Sequence, residues 1–203
     1  MTVDLTSIHE LRQQGQHETA RDQLLLLAAQ HPTDAAVQYQ TACVHDYLGL
    51  EREAVPFYRA AIQHGLSGAD LRGAYLGLGS TYRTLGQYAE SKSTLLEGLQ
   101  HFPDAHEMTA FLAMTHYNLG EHHEAVASLL KLLVETTSDG DIKGYQRAGY
   151  QGVSARHSLL RREPRSALGL MLPRPIGSNA ILRGHMPRWR FTPDHAGTAA
   201  QAE

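Results

Sequence analysis

Apolar positions along most of this chain recur at helical spacing, and the pattern itself repeats. Tyr75, Leu78, Gly79 and Tyr82 stand at i, i+3, i+4 and i+7, one face of an amphipathic helix. Tyr88, Leu95, Leu96 and Leu99 line a second helix. Gly86 between them suits a sharp bend, because glycine enters positive φ without a Cβ penalty, and Pro103 stops the second helix. The predicted element is an antiparallel pair of helices. Gly15, Gly49, Gly86 and Gly120 are spaced by 34, 37 and 34 residues, and each is followed five places on by a small residue: Ala20, Ala54, Ser91 or Ala125. A small side chain there lets the two helices approach closely. Leu48, Leu85 and Leu119 precede the last three glycines, and Leu24, Tyr58, Leu95 and Leu129 lie nine residues beyond all four. An all-α chain of stacked helix-turn-helix units follows, over about 1–34, 35–71, 72–105 and 106–139.

The third unit carries Leu78, Gly79, Tyr82, Gly86, Tyr88, Leu95, Leu99 and Pro103. In these it resembles the tetratricopeptide repeat (TPR), a helix-turn-helix module of about 34 residues. The fourth keeps Leu112, Ala113, Leu119, Gly120, Ala125, Leu129 and Leu133 but sets His116 and His122 at the tyrosine positions. The second keeps Gly49, Ala54, Tyr58, Ala61 and Ile62, with three extra residues in the stretch 64–68, and the first keeps Gly15, Ala20, Leu24 and Pro32. The stretches YLGLGSTYRTLGQY and FLAMTHYNLGEHHEAV also resemble small stand-alone bacterial tetratricopeptide proteins of unassigned activity. The resemblance implies a short right-handed α-solenoid whose first helices line a concave face.

Charge divides the chain. Residues 1–150 hold ten Lys and Arg against eighteen Asp and Glu, whereas residues 151–203 hold eight Arg and no Lys against three acids. Five of the eight prolines also fall in that last quarter. The repeat domain is therefore expected over 1–148. Residues 149–203 are expected to be an Arg/Pro/Gly-rich tail, either disordered or not native in sequence, since an altered reading frame would also end the repeat pattern abruptly. Ser138 and Asp141 have a weak capping-box spacing, which predicts a short helix covering the end of the stack. The tail's arginines are scattered, and aromatics interleave only at Trp189 and Phe191, so a basic arm for nucleic acid is the lesser reading. The single cysteine, Cys43, excludes an intramolecular disulfide framework, and no run of about 18 apolar residues predicts a membrane span. With no basic leader before an apolar core, a cytoplasmic protein is the expectation.

Thirteen histidines invite a metal or catalytic reading, but they do not converge. His122 and His123 are adjacent, so on a helix their side chains project about 100° apart. HExxH, GxSxG, GxGxxG and phosphate-loop patterns are absent. No metal, cofactor or enzymatic activity is expected. His45 and His116 share the repeat position of Tyr82 and are expected to be packing histidines, with a pH-responsive switch as the sharper alternative. Cys43 is expected to be a small filler rather than a nucleophile.

Helical projection puts Arg12, Tyr39, Cys43, Asp46 and Tyr47 on the inner face of the first two units, and Ser80, Arg83, Met114, Tyr117 and Asn118 on that of the last two. Tyr39, Asp46, Tyr47, Arg83, Tyr117 and Asn118 are the candidate binding residues. Arg83 and Tyr117 are the expected anchors, because aromatic and arginine side chains dominate binding energy at such surfaces. Tyr39, Tyr47 and Tyr117 have the alternative of packing against the next repeat. The lysine and asparagine clamp by which some TPR domains grip a C-terminal carboxylate is not matched, since Cys43, Ser80 and Met114 occupy its asparagine positions. The function expected is a scaffold or adaptor holding a peptide or protein in the concave groove. The alternative is a dimeric regulatory or sensor protein whose basic tail contacts nucleic acid. Four consecutive leucines, Leu24, Leu25, Leu26 and Leu27, put apolar surface on more than one helical face and leave a homodimer open.

Overall fold

A computed structural model describes residues 3–144; the tail over 149–203, with its disorder, reading-frame and nucleic-acid readings, lies outside the described residues. The described residues form α1 (Thr6–Gln13), α2 (His17–Gln30), α3 (Ala35–Tyr47), α4 (Glu51–Gln63), α5 (Gly68–Thr84), α6 (Tyr88–His101), α7 (His106–Asn118), α8 (His122–Thr136) and α9 (Gly140–Gly144). They contain no strand.

Four equivalent bends create the hairpins. Gly15, Gly49, Gly86 and Gly120 have φ of 75°, 76°, 76° and 78°. At the second bend the Gly49 N–H donates to the Asp46 carbonyl at 3.0 Å and the Leu50 N–H to the His45 carbonyl at 2.9 Å, and the other three bends close in the same way. This paired closure is the Schellman cap, which satisfies carbonyls that the helix end would otherwise leave bare. Five residues on, Ala20, Ala54, Ser91 and Ala125 are all buried. Ser91 differs in chemistry: its hydroxyl donates to the Gly79 carbonyl at 2.7 Å and lies 2.9 Å from that of Thr115, so the polar atom is satisfied where the other units have a methyl group.

One local detail is added and one expectation changes. The extra residues of the second unit are taken up by α5 as an added first turn, reaching 17 residues against 13 for α3 and α7. The cap of α9 belongs to Asp139 and not to the Ser138–Asp141 pair. Asp139 Oδ1 accepts from the N–H groups of Asp141 at 2.9 Å and Ile142 at 3.2 Å, the reach of an aspartate N-cap. Asp34 caps α3 in the same way, through Ala36 and Val37.

The core is distributed over the seams between units. Ile8, Ala20, Leu24 and Val44 fill the first seam. Tyr39, Ala54, Tyr58, Ala74 and Leu78 fill the second, and Tyr75, Leu95, Met108 and Leu112 the third. Leu24 and Leu27 are spent in the first seam, while Leu25 and Leu26 remain exposed. In α5, glycine serves close approach. A Cβ on Gly77 would sit 2.5 Å from Cζ of Tyr58, one on Gly79 would sit 2.6 Å from Cγ of Leu95, and one on Gly73 would collide with the Tyr39 hydroxyl.

Packing of successive units is asymmetric. α3 touches α5 and α5 touches α7, whereas α2, α4, α6 and α8 make no comparable contact with one another. α3, α5 and α7 thus form a continuous inner wall, and the second helices beside them splay outward. Splaying opens a cleft of about 490 Å³ between α4 and α6, floored by Tyr75, Leu78 and Tyr82 of α5. At the far end, α8 leaves Val126, Leu129, Leu130 and Leu133 exposed.

Candidate functional site: the inner wall

The six residues singled out by helical projection divide into two groups. Arg83 at the end of α5 donates from Nη1 to Oδ1 of Asn118 at the end of α7, 3.5 Å away. The buried Arg83 Nε has no acceptor among the described residues. Tyr117, beside Asn118, is 62% exposed, and its ring stands 5.0 Å from that of His122. This end of the wall therefore presents an aromatic face next to a guanidinium with donors to spare, a combination suited to a carbonyl or carboxylate on a bound chain.

The other group is largely enclosed. Tyr39 is 6% exposed, with its ring 6.3 Å from that of Tyr58 and its hydroxyl against Gly73, so it is withdrawn from the groove. Spacing along α3 gives the direction in which Tyr39 points, but the missing Cβ of Gly73 is what brings α5 over it. Tyr47 is half-buried and stacked on His17 of α2, ring centroids 3.9 Å apart. Asp46 is half-buried where α3, α4 and α5 meet, and the Tyr58 hydroxyl donates to its Oδ2 at 3.3 Å. Burial pushes the Asp46 carboxyl up to about 6; the nearby Thr81 hydroxyl and the Tyr58 hydrogen bond oppose the rise and the charge of Glu51 adds to it. Burial likewise pushes the Cys43 thiol up to about 11, against the pull of Arg12, which leaves the thiol protonated at neutral pH.

Several polar ties along the stack escaped the sequence reading. Arg12 Nη1 meets Gln40 Oε1 at 2.5 Å, Arg72 Nε meets Glu107 Oε1 at 2.6 Å, and Lys92 Nζ meets both Glu121 oxygens at 2.8 Å. Each joins residues about one repeat apart, so opposite polarity at that separation is the signal that finds them. His116 Nδ1 lies 2.5 Å from Glu121 Oε2, whereas His45 Nδ1 lies 2.8 Å from the Thr41 carbonyl with its ring 5.2 Å from Phe57. The two histidines share a register position but not an environment. Among the described residues no three His, Cys, Asp or Glu gather in a metal-binding group, and no helix is long and apolar enough to cross a membrane.

Comparison with known proteins agrees with this architecture. No curated protein matches the chain. A solved structure described as "MamA RS-1 ArsTM double mutant" superposes with a TM-score of 0.56 at 14% identity, covering 76% of this chain and 82% of that one, and so shares the fold. The family described as "Tetratrico peptide repeat" matches residues 35–151, more than half of the sequence. With four Schellman-closed hairpins stacked along one inner wall, the chain belongs to the tetratricopeptide repeat family.

Proposed function

We propose that this chain is a protein-interaction scaffold or adaptor that holds a peptide or protein segment against the wall formed by α3, α5 and α7. Membership of a repeat family built for interaction supports the general reading. The observation that carries the specific one is the exposed Tyr117 beside the Arg83–Asn118 pair, an aromatic and a guanidinium offered together at the inner face. Asp46 and Tyr47 contribute the half-buried end of the same wall. A hot-spot anchor accounts for about 2 kcal/mol or more, about thirtyfold in affinity. Arg83→Glu with Tyr117→Ala is therefore expected to weaken capture of the principal partner by about thirtyfold if the two act as one unit and by up to about a thousandfold if they add. The measurement is affinity capture followed by quantitative mass spectrometry, with circular dichroism to establish that the double variant is folded. Partners retained undiminished by the folded variant would end this reading.

A second reading rests on the apolar stripe of α8. Val126, Leu129, Leu130 and Leu133 are exposed on one helix, which favours self-association into a dimeric regulatory protein. Sedimentation equilibrium that finds only monomer at high concentration removes it.

A further inference from the structure

We infer that the inner wall contains a pocket for a basic side chain: the Asp46 carboxylate, framed by Tyr58, Cys43 and Thr81, receives the ammonium or guanidinium group of a lysine or arginine on the bound peptide. The inference rests on the groove reading above and names the chemistry that one part of the groove recognises.

Asp46 occupies the register position held by Arg12, Arg83 and Tyr117 in the other three units. One row of the wall therefore reads cation, anion, cation, aromatic. Neighbouring arginines do not neutralise the anion: among the described residues no Lys or Arg nitrogen lies within 4.0 Å of Asp46. Its one hydrogen-bond partner among the described residues is a neutral donor, the Tyr58 hydroxyl at 3.3 Å; the buried Thr81 hydroxyl lies nearby without a hydrogen bond. A half-buried carboxylate held only by neutral groups retains its attraction for a counter-ion. A metal ion is the poorer occupant, because Asp46 belongs to no group of three His, Cys, Asp or Glu ligands among the described residues. A side-chain cation needs one carboxylate and a partly dry setting, and both are present.

The pH dependence follows from the surroundings. Facing Asp46 are Tyr58 and Glu51 from α4, Thr81 from α5 and Cys43 on its own helix; Arg12 of α1 acts on Cys43, and His17 of α2 stacks on the adjacent Tyr47. Burial raises the Asp46 carboxyl to about 6, and a cation pairs only with its ionised form, so binding should strengthen as pH climbs through that value.

The test is an NMR titration of the Asp46 carboxyl in the full chain, with acetyl-Gly-Arg-Gly-amide and acetyl-Gly-Gln-Gly-amide as probes. The arginine tripeptide should lower the Asp46 midpoint and bind about tenfold more tightly at pH 7.5 than at pH 5, while the glutamine tripeptide should do neither. Asp46→Asn should remove the pH dependence and weaken the arginine tripeptide about tenfold. Should that variant fail to fold, the midpoint shift in the parent decides alone. Equal effects of the two tripeptides overturn the pocket, as does unchanged binding to a folded Asp46→Asn chain. A midpoint already well below 6 without peptide also overturns it, because the carboxylate would then already be satisfied within the chain. Loss of partners in the Arg83→Glu, Tyr117→Ala chain without any tripeptide effect defeats the cation pocket and spares the groove; the converse result spares the pocket and defeats the groove.

Discussion

Replacing Gly77 with alanine tests whether α5 is cleared of side chains for its neighbours' sake. By helix propensity alone the change should stabilise the chain by about 0.5–1 kcal/mol. Packing opposes it. The added carbon would lie 2.5 Å from both Cζ and the hydroxyl of Tyr58 and 2.8 Å from its Cε1. Carbon atoms ordinarily meet at about 3.5–4.0 Å, so either the ring or the helix must give by roughly an ångström. Tyr58 has little room to retreat: it is 3% exposed, its hydroxyl is bonded to Asp46, and Tyr39 lies beside its ring. Overpacking of this kind costs about 1–3 kcal/mol, which outweighs the propensity gain. The net expectation is a loss of about 1–2 kcal/mol, or about 2–8 °C in Tm for a chain of this size. Thermal and urea unfolding followed by far-UV circular dichroism would measure it. Gly140→Ala is the control, because nothing lies within 4 Å of the carbon it adds, and it should be neutral or stabilising. Tyr58→Leu should cushion the Gly77→Ala change, giving a coupling of about 0.5 kcal/mol or more in a double-mutant cycle. A Gly77→Ala chain as stable as its parent would refute the steric account of α5.

Asp46 should also mark the pH dependence of folding. Its carboxyl rises from 3.8 to about 6 on folding, so the native state holds the proton more tightly than the unfolded chain. The cost of ionising it is therefore absent below the unfolded value, grows with pH, and is complete above about 6, where it reaches at most about 3 kcal/mol. Asp46→Asn carries no charge and should gain stability relative to the parent as pH rises from about 4 to 7; urea midpoints that keep a constant difference would contradict this. Glu121 has the opposite sign, because Lys92 first and His116 second hold its carboxyl below the usual range. Glu121→Gln should lower Tm at neutral pH and low salt, and the deficit should close on acidification through the carboxylate range and shrink in high salt. A variant with the parent's Tm at neutral pH would show that the Lys92–Glu121–His116 cluster contributes nothing.

The bends were legible because they depend on single residues at fixed spacing. A glycine that must enter the left-handed region and a small residue five places on are visible without any knowledge of neighbours, and all four pairs stand where the register places them. What escaped notice depends on residues brought together by stacking. Nothing in the spacing marks Gly73 and Gly77, whose purpose shows only where Tyr39 and Tyr58 of the preceding unit rest against them. Tyr39 reads as a groove residue for the same reason. Ser91 reads as a substitute for alanine, although its hydroxyl joins Gly79 to Thr115. Of the candidate residues, Arg83 and Asn118 meet because each ends the first helix of successive units, and Tyr117 stays exposed because no later first helix among the described residues covers α7 in the way α5 covers Tyr39.

The difference in contact between first and second helices has a mechanical consequence. α3, α5 and α7 abut, so they resist compression along the stack, whereas an open cleft separates α4 from α6. Bending the array meets its least resistance by widening or narrowing that outer gap, with the abutting helices acting as the pivot line. Curvature can then adjust to the girth of a guest while the spacing of Asp46, Arg83 and Tyr117 along the pivot changes little.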